Sequence, residues 1–135
     1  TELKDDPAAE DQRVAEAQAV RNRVLERFSE PATARFVVLG DCNDTPGSRA
    51  LGALEARGKT KIAHWVDAAD ERGHRWTHVY TRPAVYSRFD HALVSPGLWD
   101  GESEAVTARI VGEPWEMAAR ASDHRPLVVT VRVAE

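Results

Sequence analysis

The side chains of Asp41, Asn43, Asp90, Asp123 and His124 have the types and spacing to hydrolyse an anionic ester. Asp41 and Asn43 stand two positions apart directly after the apolar run Phe36-Val37-Val38-Leu39-Gly40, Asp90 interrupts the run from Arg88 to Ser95, and Asp123 and His124 are neighbours in Ser122-Asp123-His124-Arg125-Pro126. A carboxylate beside a carboxamide supplies one group to orient water and one to hold an oxygen. A histidine holds a phosphoryl oxygen best when a second carboxylate fixes its other ring nitrogen. Carboxylates also bind Mg²⁺ or Mn²⁺, which offset charge in the transition state. The same residues suit a plainer use, because Asp41 and Asn43 fit an Asx turn that caps a strand. Asp90 needs a partner in either case, since a carboxylate among apolar neighbours is costly unless paired.

These groups must be carried to one place by the elements around them. Phe36 to Leu39 reads as a strand buried on both faces, with Gly40 permitting a tight exit and Pro46 and Gly47 closing the turn. In extended geometry Asp41 and Asn43 then point the same way. Asp5-Asp6-Pro7 opens an amphipathic helix from about Pro7 to Phe28, in which Val14, Ala17, Val24, Leu25 and Phe28 recur at helical intervals and charges follow the helix dipole. Ser48 caps a shorter helix to about Arg57, stopped by Gly58. Lys59 to Gly73 has no clean period and reads as a loop or frayed strand. Strands are expected over Arg75–Tyr80, Arg88–Ser95, Val106–Val111 and Leu127–Val133, the last near the sheet centre. Gly112 to Ala121 reads as a loop whose Pro114, Trp115 and Met117 pack over the sheet edge. The recurring form is polar residues at a strand's mouth with apolar residues behind, and the three polar clusters can converge on one end of a sheet.

The 135 residues form a single segment, one domain's worth of chain. A net charge of -4 excludes the broad basic footprint that drives sequence-independent nucleic-acid binding, although Arg75, Arg82, Arg88 and Arg125 can form a local anion-binding rim. His78 suits a core or surface position, or a phosphate contact. The single cysteine, Cys42, excludes an internal disulfide and a cysteine-built zinc site, and it suits packing as a small hydrophobe. The apolar runs are too short to span a bilayer and no signal-peptide pattern opens the chain. It begins at Thr1 rather than at an initiator methionine, which leaves room for an upstream segment and leaves the compartment, cytoplasmic or secreted, open.

Taken together, three motifs resemble those of the endonuclease/exonuclease/phosphatase family of metal-dependent phosphoesterases. Gly40-Asp41-Cys42-Asn43 resembles its Gly-Asp-aromatic-Asn motif, Arg88-Phe89-Asp90-His91 its Ile-Asp-Tyr/His strand, and Ser122-Asp123-His124-Arg125-Pro126 its Ser-Asp-His-x-Pro ending. The resemblance implies that Asp41 orients or deprotonates the attacking water and that Asn43 binds a phosphate oxygen. It implies that His124 contacts the scissile phosphate with Asp90 as its partner, and that Asp123, with Asp41, binds Mg²⁺ or Mn²⁺. The implied fold is α/β, the C-terminal half of a four-layer sandwich: one mixed, mostly antiparallel sheet with helices on its outer face. The implied substrate is a phosphoester, whether small molecule, lipid headgroup or nucleic acid, and the acidic balance favours the smaller or lipid-like ones.

Cys42 departs from the family pattern, and the resemblance covers only the second half of the family domain. The first half's asparagine, metal-binding glutamate and histidine have no counterpart here, and Thr1-Glu2-Leu3-Lys4 is expected to be the end of the strand that precedes the helix. The chain is therefore expected to bind metal weakly and to be nearly inactive alone. It should self-associate or take up the complementary N-terminal half through an exposed sheet face. A non-catalytic binding module that keeps the fold, or an unrelated α/β binding domain, would make no use of the intact polar set.

Overall fold

The computed structural model describes residues 6–134, so the strand end expected at Thr1-Glu2-Leu3-Lys4 lies outside the described residues. The elements run α1 (Pro7–Arg27), β1 (Val37–Asp41), α2 (Arg49–Glu55), β2 (Ala56–Arg57), β3 (Thr60–Lys61), β4 (His64–Trp65), β5 (His78–Thr81), β6 (Ala84–Ser87), β7 (Asp90–Val94), β8 (Val106–Ile110), α3 (Trp115–Ala121) and β9 (Leu127–Val131).

Local chemistry sets the helix starts. Asp6 caps α1 by accepting the Ala8 N–H at 3.0 Å, with Pro7 in the first turn. Ser48 caps α2 by accepting the Leu51 N–H at 3.2 Å. That helix ends earlier than expected, because Ala56 is already extended and pairs with Lys61. Gly58, at φ 59°, turns the β2–β3 hairpin instead of stopping the helix. The stretch expected as a loop before Ser122 is the helix α3, since Trp-Glu-Met-Ala-Ala-Arg-Ala is rich in strong helix formers. Its Met117 points to solvent rather than packing on a sheet edge.

The strand with both faces buried is β7, not β1. It lies between β1 and β4 and is antiparallel to both. On one face Leu93 packs with Ala17 of α1 and Leu51 and Leu54 of α2. On the other, Ala92 and Val94 pack with Val66, Trp99 and Val106, flanked by Val129 and Val131. The result is layered: helices, a three-stranded sheet, and the β8–β9 pair beneath. The apolar run of β1 is an edge strand whose Leu39 is 66 % exposed. Likewise β9 pairs with β8 alone among the described residues and is not central.

The class is α/β, with every named strand pair antiparallel. The strands are divided between the three-stranded sheet and three two-stranded pairs rather than forming one continuous sheet. Single bridges stitch the pairs, Ala69 to Arg109 and His78 to His124. Among the described residues no helix is long and apolar enough to cross a membrane.

Candidate active site

Asp41 ends β1 and Asp90 begins β7, and the antiparallel register sets them opposite one another. Gly40, at φ 152°, takes a backbone conformation that L side chains rarely adopt. Beyond Asp41 the chain leaves the sheet, because Asp41 Oδ1 accepts the Asn43 N–H at 2.8 Å and Asn43 turns left-handed at φ 50°. The Asx turn is therefore present, and Asp41 and Asn43 do not point the same way from one extended strand. The turn occupies only one oxygen of Asp41, and Oδ2 lies 3.8 Å from His124 Nε2.

His124 links the two strand ends. Its Nδ1 is 2.7 Å from Asp90 Oδ2, the partner that Asp90 requires. The ring is held in place by its own segment: Ser122 Oγ accepts the His124 N–H at 3.0 Å. The Arg125 N–H donates to Thr77 O at 2.7 Å. One ligand atom from each of Asp41, Asp90 and His124 falls within 4.8 Å of the others. Asp41 and His124 are open enough to meet a substrate, whereas Asp90 lies behind them with 19 % of its side chain exposed.

Asp123 is not in that group. Its Oδ2 lies 3.2 Å from His78 Nε2, and His78, Asp123 and His124 form a second cluster that shares His124 with the first. His78 itself is buried, so it is not a direct phosphate contact. The structure connects Asn43 to the site through its backbone bond to Asp41.

Several positioning groups carry no obvious motif. Thr77 is fully buried, and its Oγ1 accepts the N–H groups of both Phe89 and Asp90 at 3.0 Å. Arg88 donates to Asp90 O at 2.9 Å and to the carbonyls of Ala68 and Val66. Beneath the Asn43 turn, the Trp65 Nε1–H donates to His91 Nδ1 at 3.0 Å and the His91 Nε2–H donates to Asp44 O at 2.7 Å. Asp44 in turn pairs with Arg13 of α1 at 3.1 Å. A signal for this chain was visible in Asp44 and His91, polar residues inside otherwise apolar or turn segments.

The arginine rim is corrected by these contacts. Arg88 is buried and turned toward carbonyls, and Arg125 is buried with its guanidinium 2.8 Å from Asp70 and 3.6 Å above the Trp76 ring. Exposed Arg75 pairs with Asp67 at 3.1 Å. Of the four arginines expected in a local rim, Arg88 and Arg125 are turned inward, while Arg75 and Arg82 are exposed.

The local field follows from the carboxylates. Desolvation lowers the His124 pKa, but the hydrogen bond to Asp90 and the charges of Asp90, Asp41 and Asp123 outweigh it and raise the value above the ordinary one. Burial, reinforced by Asp41, Asp90 and Asp44, pushes the Cys42 thiol up to about 11. Cys42 is thus a protonated packing residue rather than a nucleophile. Burial lowers the His91 pKa, in keeping with one nitrogen donating and the other accepting.

The donor set suits a hard divalent cation, since carboxylate oxygens predominate and one imidazole accompanies them. A carboxylate-fixed imidazole beside a partly exposed carboxylate suits attack of water on an ester whose oxygens take up negative charge. Comparison with known proteins gives one finding of the same kind: the model of the Endonuclease/Exonuclease/phosphatase family matches residues 4–124, a span that includes Asp41, Asn43, Asp90, Asp123 and His124. No curated protein and no solved structure matches the chain.

Proposed function

Because this chain belongs to the Endonuclease/Exonuclease/phosphatase family, whose members broadly hydrolyse phosphoesters with divalent metal, we propose that its Asp41–Asp90–His124 corner is the catalytic centre of a metal-dependent phosphoester hydrolase. The observation that carries the reading is the His124 imidazole, 2.7 Å from Asp90 and 3.8 Å from Asp41. With Nδ1–H donated to Asp90, the ring turns Nε2 toward the open side, where it holds a phosphoryl oxygen. Asp41 orients the attacking water and takes up its proton. The carboxamide of Asn43 holds a second phosphoryl oxygen, a role supported by the backbone bond that ties its turn to Asp41.

We assign Mg²⁺ or Mn²⁺ to Asp41 and Asp123, which belong to two separate groups that share His124, so the ion would sit between those groups. When bound, the ion offsets the charge that develops on the phosphoryl oxygens. The proposal assigns residues 1–135 to the second half of the domain, with a glutamate from the first half completing the ion's ligands. The edge of β1 that is unpaired among the described residues, with its exposed Leu39, supports a complementary segment or a second copy there. The acidic balance and the inward-turned arginines favour a small or lipid-like phosphoester over duplex nucleic acid.

The test is hydrolysis of bis(nitrophenyl) phosphate and nitrophenyl phosphate with Mg²⁺, by the full-length protein, by its Asp41→Ala variant and by residues 1–135 alone. Hydrolysis that falls at least about 100-fold in Asp41→Ala is expected, with little activity in the isolated segment. Equal rates in wild type and variant would overturn the role of Asp41. No hydrolysis by the full-length protein would favour a binding module that keeps the fold.

A further inference from the structure

His78 has no task in the reaction proposed above, yet it is buried and packed on several sides close to the site. Only 4 % of the residue is exposed. Its ring stacks on Phe89 with centroids 5.2 Å apart and planes at 29°. Tyr80 meets it edge-on at 4.6 Å, and the His124 ring lies 4.7 Å away. The contact with Asp123 is set by backbone register. His78 and His124 form an antiparallel bridge, and the Val79 N–H donates to Asp123 O at 3.2 Å.

The two ring nitrogens have opposite surroundings. Nε2 faces Asp123 Oδ2 at 3.2 Å, while Nδ1 is buried with no hydrogen-bond partner among the described residues. A proton on Nδ1 would bury an unpaired donor and would turn the Nε2 lone pair toward a carboxylate oxygen. A proton on Nε2 satisfies the carboxylate and leaves only a bare lone pair inside. The ring is therefore a donor to Asp123. Although His78, Asp123 and His124 have ligand atoms within 4.8 Å of one another, a metal bound through His78 Nε2 would drive the proton onto the buried Nδ1. The cluster is a carboxylate held by a donor, not a three-ligand metal site.

We propose that His78 is a positioning residue that fixes the carboxylate of Asp123 through its Nε2–H. Asp123 is 66 % exposed along its side chain, against 6 % for His78. A carboxylate that open samples several rotamers in solution, and ordering it costs entropy when an ion binds. A buried ring, immobilised by Phe89 and by the strand register, removes that freedom beforehand. The proposal rests on the assignment of Asp123 to the ion, and it adds that the ion's affinity depends on a hydrogen bond from a residue that never touches the ion.

The test uses the full-length protein, Mn²⁺ as the probe, and the variants His78→Phe and His78→Gln. Phenylalanine keeps the ring and its stacking but deletes the donor, and glutamine restores an N–H near the position of Nε2. Titration calorimetry is expected to show Mn²⁺ binding weakened about tenfold in His78→Phe and largely recovered in His78→Gln. A long-range nitrogen–proton correlation spectrum of the metal-free wild type is expected to show the His78 ring protonated at Nε2. A ring protonated at Nδ1, Mn²⁺ affinity equal in wild type and His78→Phe, or a loss that glutamine fails to recover would each overturn the proposal, as would a wild type that binds no Mn²⁺. If His78→Phe does not fold, the spectrum and His78→Gln decide: wild-type affinity in His78→Gln supports the donor role and weakened affinity overturns it. The expected Mn²⁺ pattern in a protein that hydrolyses no phosphoester would sink the catalytic reading and leave the positioning role standing.

Discussion

Asp41 and Asp90 are register partners at the last rung of the β1–β7 ladder, two carboxylates where a sheet ordinarily favours unlike charges. His124 lies 2.7 Å from one and 3.8 Å from the other and offsets their repulsion when it carries a proton. The sheet thus accepts a local electrostatic cost at the place where the chemistry is assigned.

Asp41→Asn separates that cost from catalysis. The carboxamide oxygen still accepts the Asn43 N–H, so the turn survives, while the like-charge contact disappears. Stability should stay level or rise by about 0.5 kcal/mol, and phosphodiester hydrolysis by the full-length protein should fall at least about 100-fold. Thermal unfolding beside initial rates checks both, and a clear loss of stability would show that no repulsion exists to be relieved.

Asp90→Asn should lower the His124 pKa, because it removes the nearest charge that raises it and replaces a carboxylate acceptor by a neutral amide oxygen that favours the imidazolium less. The sign for stability follows from the raised value. In the metal-free wild type this contribution is fully present below the unfolded histidine value of about 6.5 and is lost as pH rises through the folded pKa. Proton NMR titration of the ring, with urea unfolding at pH 5.5 and 8, should show the variant's stability varying less across that window.

Thr77→Val leaves two buried N–H groups, those of Phe89 and Asp90, without their acceptor. At about 1–3 kcal/mol for each orphaned donor, the loss should be roughly 2–6 kcal/mol. Thr77→Ser, which keeps the oxygen, should recover most of it. Denaturant unfolding of the two variants tests this, and equal stability of Val and Ser would mean the hydroxyl is not the acceptor.

Asp70 is expected to govern the acid limb of stability. The Arg125 guanidinium first, then backbone N–H groups, hold its carboxyl down to about 2. A depressed carboxylate stabilises the fold above its unfolded pKa of about 3.9, and that contribution disappears as pH falls toward 2. Asp70→Asn should therefore be less stable than wild type at pH 6 and lose less between pH 4 and 2, as read by circular dichroism.

The parts of the site legible in the sequence are those where polar residues abruptly follow apolar ones. Asp90 among Phe89, Ala92 and Leu93 demanded a partner, and His124 meets that demand. The helix starts were legible because capping is local, as Asp6 and Ser48 show. Strand order was not: Val37–Leu39 and Ala92–Val94 are equally apolar, and only tertiary packing decides which of them is covered on both faces. Arg88 and Arg125 read as surface cations because much of what holds them is backbone, the carbonyls of Val66, Ala68 and Trp76, which leave no mark in side-chain identity, and because Asp70, the carboxylate partner of Arg125, is 55 positions away in sequence. Thr77 was hidden for the same reason, since its partners are backbone N–H groups.

The Trp65–His91–Asp44–Arg13 chain runs beneath the Asn43 turn from the far strand of the sheet to the first helix. The turn is therefore clamped in the folded chain, and on the role proposed for Asn43 the entropy of arranging it would be lost once, during folding, instead of at every turnover. A lesion at Trp65, on the opposite edge of the sheet, would loosen the Asn43 turn without touching it.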